Sequence, residues 1–257
     1  MKRRRTGKAA GESALPFLAA ILFALAACGS EESNPFSAPS VNGEGNLVLG
    51  GQVKLIRLYS SGEFSADSGE WSLTVLENGD LGSVLVSGQI IRGNLDLTLP
   101  GTIAEDRLPS ETGFFSKIWS IVQGDEDHPV EMSNEVRGAA LSVYVVPLGA
   151  QSGTPPGNYG LKNGGYSGNY DTDYTDTTVE LVYAAAGTRV ERAAFSVEQT
   201  VENTVYTVTF VETAFNLRRG WNFIQIQTRQ TKSGGRGAVT VSVSAVPGLR
   251  DWVLYSR

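Results

Sequence analysis

From Asn46 onward the chain alternates apolar and polar positions with a period of two. Trp71, Leu73 and Val75 are separated by Ser72 and Thr74. Leu95, Leu97 and Leu99 alternate with Asn94, Asp96 and Thr98 before Pro100 closes the run. The theme returns in Val179, Leu181 and Tyr183, in Tyr206, Val208 and Phe210, and in Val239, Val241, Val243 and Ala245. Successive side chains of a strand leave opposite faces, so each run predicts a strand with one apolar and one polar side. Between the first two runs, Glu77-Asn78-Gly79-Asp80 supplies a two-residue hairpin turn, because Asn-Gly tolerates the positive φ such turns require. Strands wet on one side belong to antiparallel sheets, and the expected fold is all-β, an antiparallel β-sandwich forming one large or two small domains.

One stretch breaks the rhythm. Between Thr112 and Gly124, the residues Phe114, Phe115, Ile118, Trp119 and Val122 fall at helical spacing, with Gly124 suited to the stop. This predicts a short helix near 113–122 and allows at most one more in the chain. The polar run Gly124-Asp125-Glu126-Asp127-His128-Pro129 is the candidate boundary between an N-terminal β unit, 46–123, and a C-terminal β-sandwich, 130–257.

The N-terminus follows different rules. Lys2, Arg3, Arg4 and Arg5, with Lys8 close behind, precede thirteen uncharged residues from Leu15 to Ala27. A basic start, a short apolar run and small residues at its end make a secretory signal over 1–27. A membrane-spanning helix needs about 20 apolar residues, so this run is too short to be one. Residues 29–45 are rich in Ser, Pro, Gly and Glu without periodicity and read as a flexible tether of roughly 20–25 Å mean reach.

The junction Leu25-Ala26-Ala27-Cys28 resembles the lipobox of bacterial lipoproteins. In that family the cysteine thiol receives diacylglycerol, cleavage occurs before the cysteine, and the new amine is acylated, often with palmitate. The resemblance implies a mature chain that starts at a lipidated Cys28 and is tethered through 28–45. Cys28 is the single cysteine of the chain, so no internal disulfide competes for it. More than one acyl chain gives stable anchoring, and the resemblance implies a place in the cell envelope, at the outer membrane, on either its periplasmic or its surface face. Ser30-Glu31-Glu32 also resembles the acidic export signal of surface lipoproteins in Bacteroidetes, and fits an ordinary acidic tether equally well. Two internal segments, 88–100 and Asn216-Leu217-Arg218-Arg219-Gly220-Trp221-Asn222, are similar to parts of uncharacterised β-rich lipoproteins from spirochaetes and Bacteroidetes. That resemblance implies fold and location, and no activity.

Charge narrows the partners. The full chain carries −6; removing 1–27 takes five of its 21 Lys and Arg and one of its 27 Asp and Glu, leaving 16 against 26, or −10. Nucleic-acid binding rests on neutralising phosphates, so no nucleic-acid partner is expected. The partners expected are the membrane, through the lipid, and a glycan or protein ligand.

Candidate chemistry is sparse. His128 is the single histidine, in an acidic loop, and is expected to be a solvated loop residue rather than the base of a triad. A zinc site of His and Cys ligands cannot be assembled, and no phosphate-binding glycine loop occurs. Asp96, Glu180, Glu191, Glu198 and Glu212 could in principle supply a glycosidase pair, though each sits where a polar-face strand residue belongs. Asp171, Asp173 and Asp176 could offer oxygen ligands to calcium, the one cofactor the sequence suggests, without the Gly and Glu spacing of an EF-hand loop. Tyr159, Tyr166, Tyr170 and Tyr174, embedded in Gly, Asn, Ser and Asp, have the composition of a long recognition loop. The leading expectation is therefore an envelope-anchored, non-enzymatic β-sandwich with a binding or adhesion role. The alternatives are a structural subunit of an envelope assembly and a carboxylate-dependent glycosidase.

Overall fold

The computed structural model describes residues 38–57, 71–77, 84–147, 159–169, 172–201 and 203–256. The signal segment, Cys28, most of the tether and the Asn78-Gly79 turn lie outside the described residues. The fold is an all-β sandwich with a single α-helix among the described residues.

The first sheet starts with β1 (Ser40–Val41) and β2 (Leu47–Arg57), followed in space by β5 (Asn94–Leu99), β4 (Val84–Ile91), β3 (Trp71–Glu77) and β7 (Gly138–Pro147). The last strand, β16 (Trp252–Ser256), lies parallel to β2 and antiparallel to β8 (Tyr159–Asn169). The second sheet runs from β8 through β9 (Asp173–Ala184), β14 (Gly220–Ser233), β15 (Arg236–Val246) and β12 (Thr204–Phe210) to β11 (Phe195–Val201). Pairing is antiparallel apart from β12 with β15 and β16 with β2. A small third sheet orders β13 (Thr213–Leu217), β10 (Thr188–Arg192) and β6 (Glu131–Met132).

The predicted alternation is visible in burial. On β5, Leu95, Leu97 and Leu99 are buried and Asn94 and Asp96 exposed; on β12, Tyr206, Val208 and Phe210 are buried while Val205 and Thr207 face out. The central strands depart from it. Val179 and Leu181 pack with Phe223 into a core shared with Leu47, Leu97, Trp252 and Leu254. The opposite face of the same strands, Val182, Ala184 and Ile224, is buried too, against the helix and the small sheet. The expectation of one wet side fails for this part of β9 and β14 because a third layer covers it.

That layer is α1 (Glu111–Val122), capped by Ser110, whose Oγ accepts a 3.2 Å hydrogen bond from the Gly113 N–H. Phe114, Ile118 and Val122, four residues apart, form its buried stripe. Gly124 does not stop the helix in the way expected. The left-handed residue is Gln123, at φ 58°, and Gly124 is needed for room: a Cβ there would come within 2.7 Å of Val130 Cγ2 and 3.1 Å of the Trp119 ring.

The polar run 124–129 does not divide the chain into two sheets. Strand β3 pairs with β7 and β2 with β16 across it, and α1 buries its stripe wholly against residues that follow it. The two internal segments singled out by resemblance also meet. Trp221 Nε1 donates to the Pro100 carbonyl at 2.8 Å, and the Asn222 side chain closes the β13–β14 turn through the N–H and carbonyl of Arg218.

Candidate functional site

The segment read as a long tyrosine loop is a β-hairpin: 159–169 form β8 and 173–184 form β9. One of its glycines is required because β8 changes sheets. Tyr159 to Asn163 pair with β16, and Gly164 to Asn169 pair with β9. At the crossing Gly164 has φ 144°, and a Cβ on it would lie 1.9 Å from the Thr177 carbonyl oxygen. Just before it, the buried Asn163 clamps Arg250 by accepting from its N–H at 2.8 Å and donating to its carbonyl at 2.7 Å. Tyr174 is 4 % exposed and belongs to the core, so it cannot share an exposed recognition surface. Tyr170, and the side chains of Tyr159 and Tyr166, lie outside the described residues.

Of the three aspartates, the two described are likewise not gathered. Asp171 lies outside the described residues, and Asp173 and Asp176, three apart on the regularly paired β9, leave opposite faces of the sheet. Both Asp176 oxygens are taken by Lys162 Nζ, at 2.6 and 2.9 Å. Among the described residues no three His, Cys, Asp or Glu are placed to share a metal ion.

Glu180 stands on the same face of β9 as Asp176. Burial pushes its carboxyl above the ordinary 4.5, against the pull of the Lys162 charge. A raised carboxyl stabilises the fold while it is protonated, and that contribution is lost as pH climbs above the usual carboxylate range. Thermal melts should therefore show Glu180→Gln gaining more in melting temperature at about pH 8 than at about pH 4. An equal gain at both would remove burial as the dominant cause. The other strand acids are dispersed: Asp96 on β5, Glu198 on β11 and Glu212 after β12 are exposed, and Glu191 is held by Arg189 at 2.6 Å.

His128 is not a free loop residue. Its ring stacks on Phe195, with centroids 4.1 Å apart and planes at 9°, and Nδ1 lies 2.8 Å from Asp125 Oδ1. Beneath the stack sits Arg192, 2 % exposed, with Cζ 5.0 Å from the Phe195 centroid. Its guanidinium donates to the carbonyls of Val122 at 3.1 Å, Ala193 at 2.9 Å and Val211 at 2.9 Å. Burial lowers the Arg192 pKa, and the Asp125 charge opposes the shift. The bond from Arg192 to the Val122 carbonyl braces α1 against the small sheet.

Among the described residues, one groove of about 350 Å3 lies between the first turns of α1 and the segment after β6, lined by Glu111, Thr112, Phe115, Met132, Asn134, Glu135 and Val136. That volume lies within the roughly 300–1,000 Å3 range of small-ligand sites. Val136 is buried and Phe115 and Met132 are half-buried, giving an apolar floor, while Glu111 and Glu135 are exposed. The 133–134 wall is pinned to β10: Ser133 Oγ accepts from the Arg189 N–H at 3.0 Å, and Asn134 Nδ2 donates to the Gly187 carbonyl at 3.1 Å. The sequence reading missed this site. Its one signal was the width of the helical apolar set: Phe114, Ile118 and Val122 use up the buried face, leaving Phe115 beside it, edge-on to Trp119 at 5.7 Å. Nothing in Ser133-Asn134-Glu135-Val136 announces a wall, because tertiary hydrogen bonds create it.

Comparison with protein-family models, with curated proteins and with solved structures finds no match to this chain.

Proposed function

We propose that the chain is a lipoprotein of the cell envelope, anchored through Cys28, whose β-sandwich binds a ligand in the α1–β6 groove without transforming it. The preformed groove carries the binding reading: a pinned wall lowers the ordering cost of association. Its floor of Phe115, Met132 and Val136 suits a protein side chain better than a sugar, which favours a protein over a glycan among the expected ligands. The non-catalytic reading is supported by the commitment of His128 to Asp125 and Phe195, and of Asp176 to Lys162. The anchor rests on the lipobox resemblance; among the described residues no helix is long and apolar enough to cross a membrane.

Two experiments test this. Cys28→Ser should move the protein from the membrane pellet to the soluble fraction, and a variant that stays in the pellet through a high-salt wash overturns the anchor. For binding, the mature protein and a Thr112→Trp variant, which blocks the groove from an exposed position, are probed with a displayed peptide library and a glycan array. Ligands lost by the variant at unchanged melting temperature support the groove; ligands indifferent to the block, or none at all, overturn it.

A further inference from the structure

The apolar floor and the acidic rim of the groove make different demands on an occupant, and together they narrow its chemistry. An aliphatic stem would lie on Phe115, Met132 and Val136, the first two of which are incompletely covered by the protein itself. At the rim stand two carboxylates. Glu111 is met by Arg137, whose Nε is 3.6 Å from Glu111 Oε1 and whose guanidinium also donates to the Glu105 carbonyl at 3.2 Å. Glu135 has no cation paired with it among the described residues. The lining therefore brings two negative charges against the one positive charge of Arg137 at its margin. The chain around it is acidic as well, at −6 overall. Arg137 and the positive end of the α1 dipole offset Glu111, so the attraction for a cation over an anion comes from Glu135 at contact and from the acidic chain at long range.

From this complementarity we infer that the groove takes the basic side chain, arginine or lysine, of a protein partner, with apolar neighbours covering the floor. The inference rests on the reading of the groove as the binding site and adds the class of ligand. Long basic side chains satisfy both demands at once, because the stem packs on apolar surface while the head stays with the carboxylates. Arginine suits the rim better than lysine, since a planar guanidinium can address a carboxylate through two hydrogen bonds.

A reporter for the test is built into the chain. The two methionines are Met1, in the signal segment, and Met132, so the processed protein carries one methionine methyl, and it lines the groove. The detergent-solubilised mature lipoprotein, labelled at that methyl, is titrated with three acetylated and amidated pentapeptides, Ala-Leu-Xaa-Leu-Ala, where Xaa is arginine, citrulline or glutamate. The arginine peptide is expected to shift the Met132 signal saturably. Citrulline, which keeps the shape and loses the charge, should bind about tenfold more weakly or worse, and glutamate should leave the signal in place. Glu135→Gln should weaken the arginine peptide by a factor of about three to ten with an unchanged melting temperature. Citrulline binding as tightly as arginine, or Glu135→Gln without effect, overturns the cationic class and leaves the groove as a binding site. A Met132 signal unmoved by all three peptides overturns the inference. If ligands found in the displayed library still respond to Thr112→Trp in that case, the binding reading survives it.

Discussion

Replacing Gly164 with alanine should destabilise the protein by about 3 kcal/mol or more, a loss of roughly 6–12 °C in melting temperature for a domain of this size. Two costs act together. At φ 144° a side chain is strained whatever the space around it, and the added Cβ would stand 1.9 Å from the Thr177 carbonyl oxygen. That oxygen is backbone of the central strand β9, which is held on its other edge by β14, so it cannot yield cheaply. The neighbour provides the control: Gly165 has open space where its Cβ would go and is not in the positive-φ region, so Gly165→Ala should change stability by less than about 1 kcal/mol. Paired thermal melts of the two variants decide the matter. Equal effects would mean that β8 does not cross between the sheets at Gly164.

The second large effect is expected at Arg192. A cation at 2 % exposure, with no carboxylate in direct contact among the described residues, is costly unless its donors find acceptors, and here three carbonyls and Thr213 Oγ1 take four of its five N–H groups. One of those carbonyls, Val122, belongs to the last turn of α1, where the helix presents unpaired oxygens and the negative end of its dipole. Arg192→Met keeps much of the volume and strands these oxygens, and should cost about 3 kcal/mol in urea denaturation with an unchanged slope. Arg192→Lys retains the charge but cannot span the same acceptors, and should recover less than half of the loss. A neutral Arg192→Met variant would mean that the tie between helix, small sheet and β11 lies in the apolar contacts alone.

These two residues also mark how far the sequence could be read. The strands with period-two alternation, β3, β5, β12 and β15, stand where the pattern put them, because side-chain direction along a strand is a local property that one buried face makes visible. The same holds for α1, where three apolar residues at four-residue spacing suffice. Arg192 carried no such signal, since its partners are carbonyls from 70 residues upstream and 19 downstream.

The tyrosine-rich hairpin shows why local chemistry can mislead. Glycine and asparagine between tyrosines are what a recognition loop needs, and they are equally what a strand needs when it must bend from one sheet into another. Composition cannot separate those two, because the constraint on Gly164 comes from a carbonyl on a different strand. The groove was out of reach for the same reason: Phe115 and Glu135 are 20 positions apart and meet through the β10 hydrogen bonds that hold 133 and 134 in place. By itself the sequence determined the all-β class, the place of the helix and the features that point to a lipid anchor, since these rest on periodicity and short contiguous motifs. The tertiary structure alone decided that β9 and β14 are buried on both faces, that the tyrosine segment is a hairpin, and that a ligand-sized groove lies beside α1 among the described residues. Each of these depends on which distant surface covers a strand, a quantity that no stretch of neighbouring residues contains.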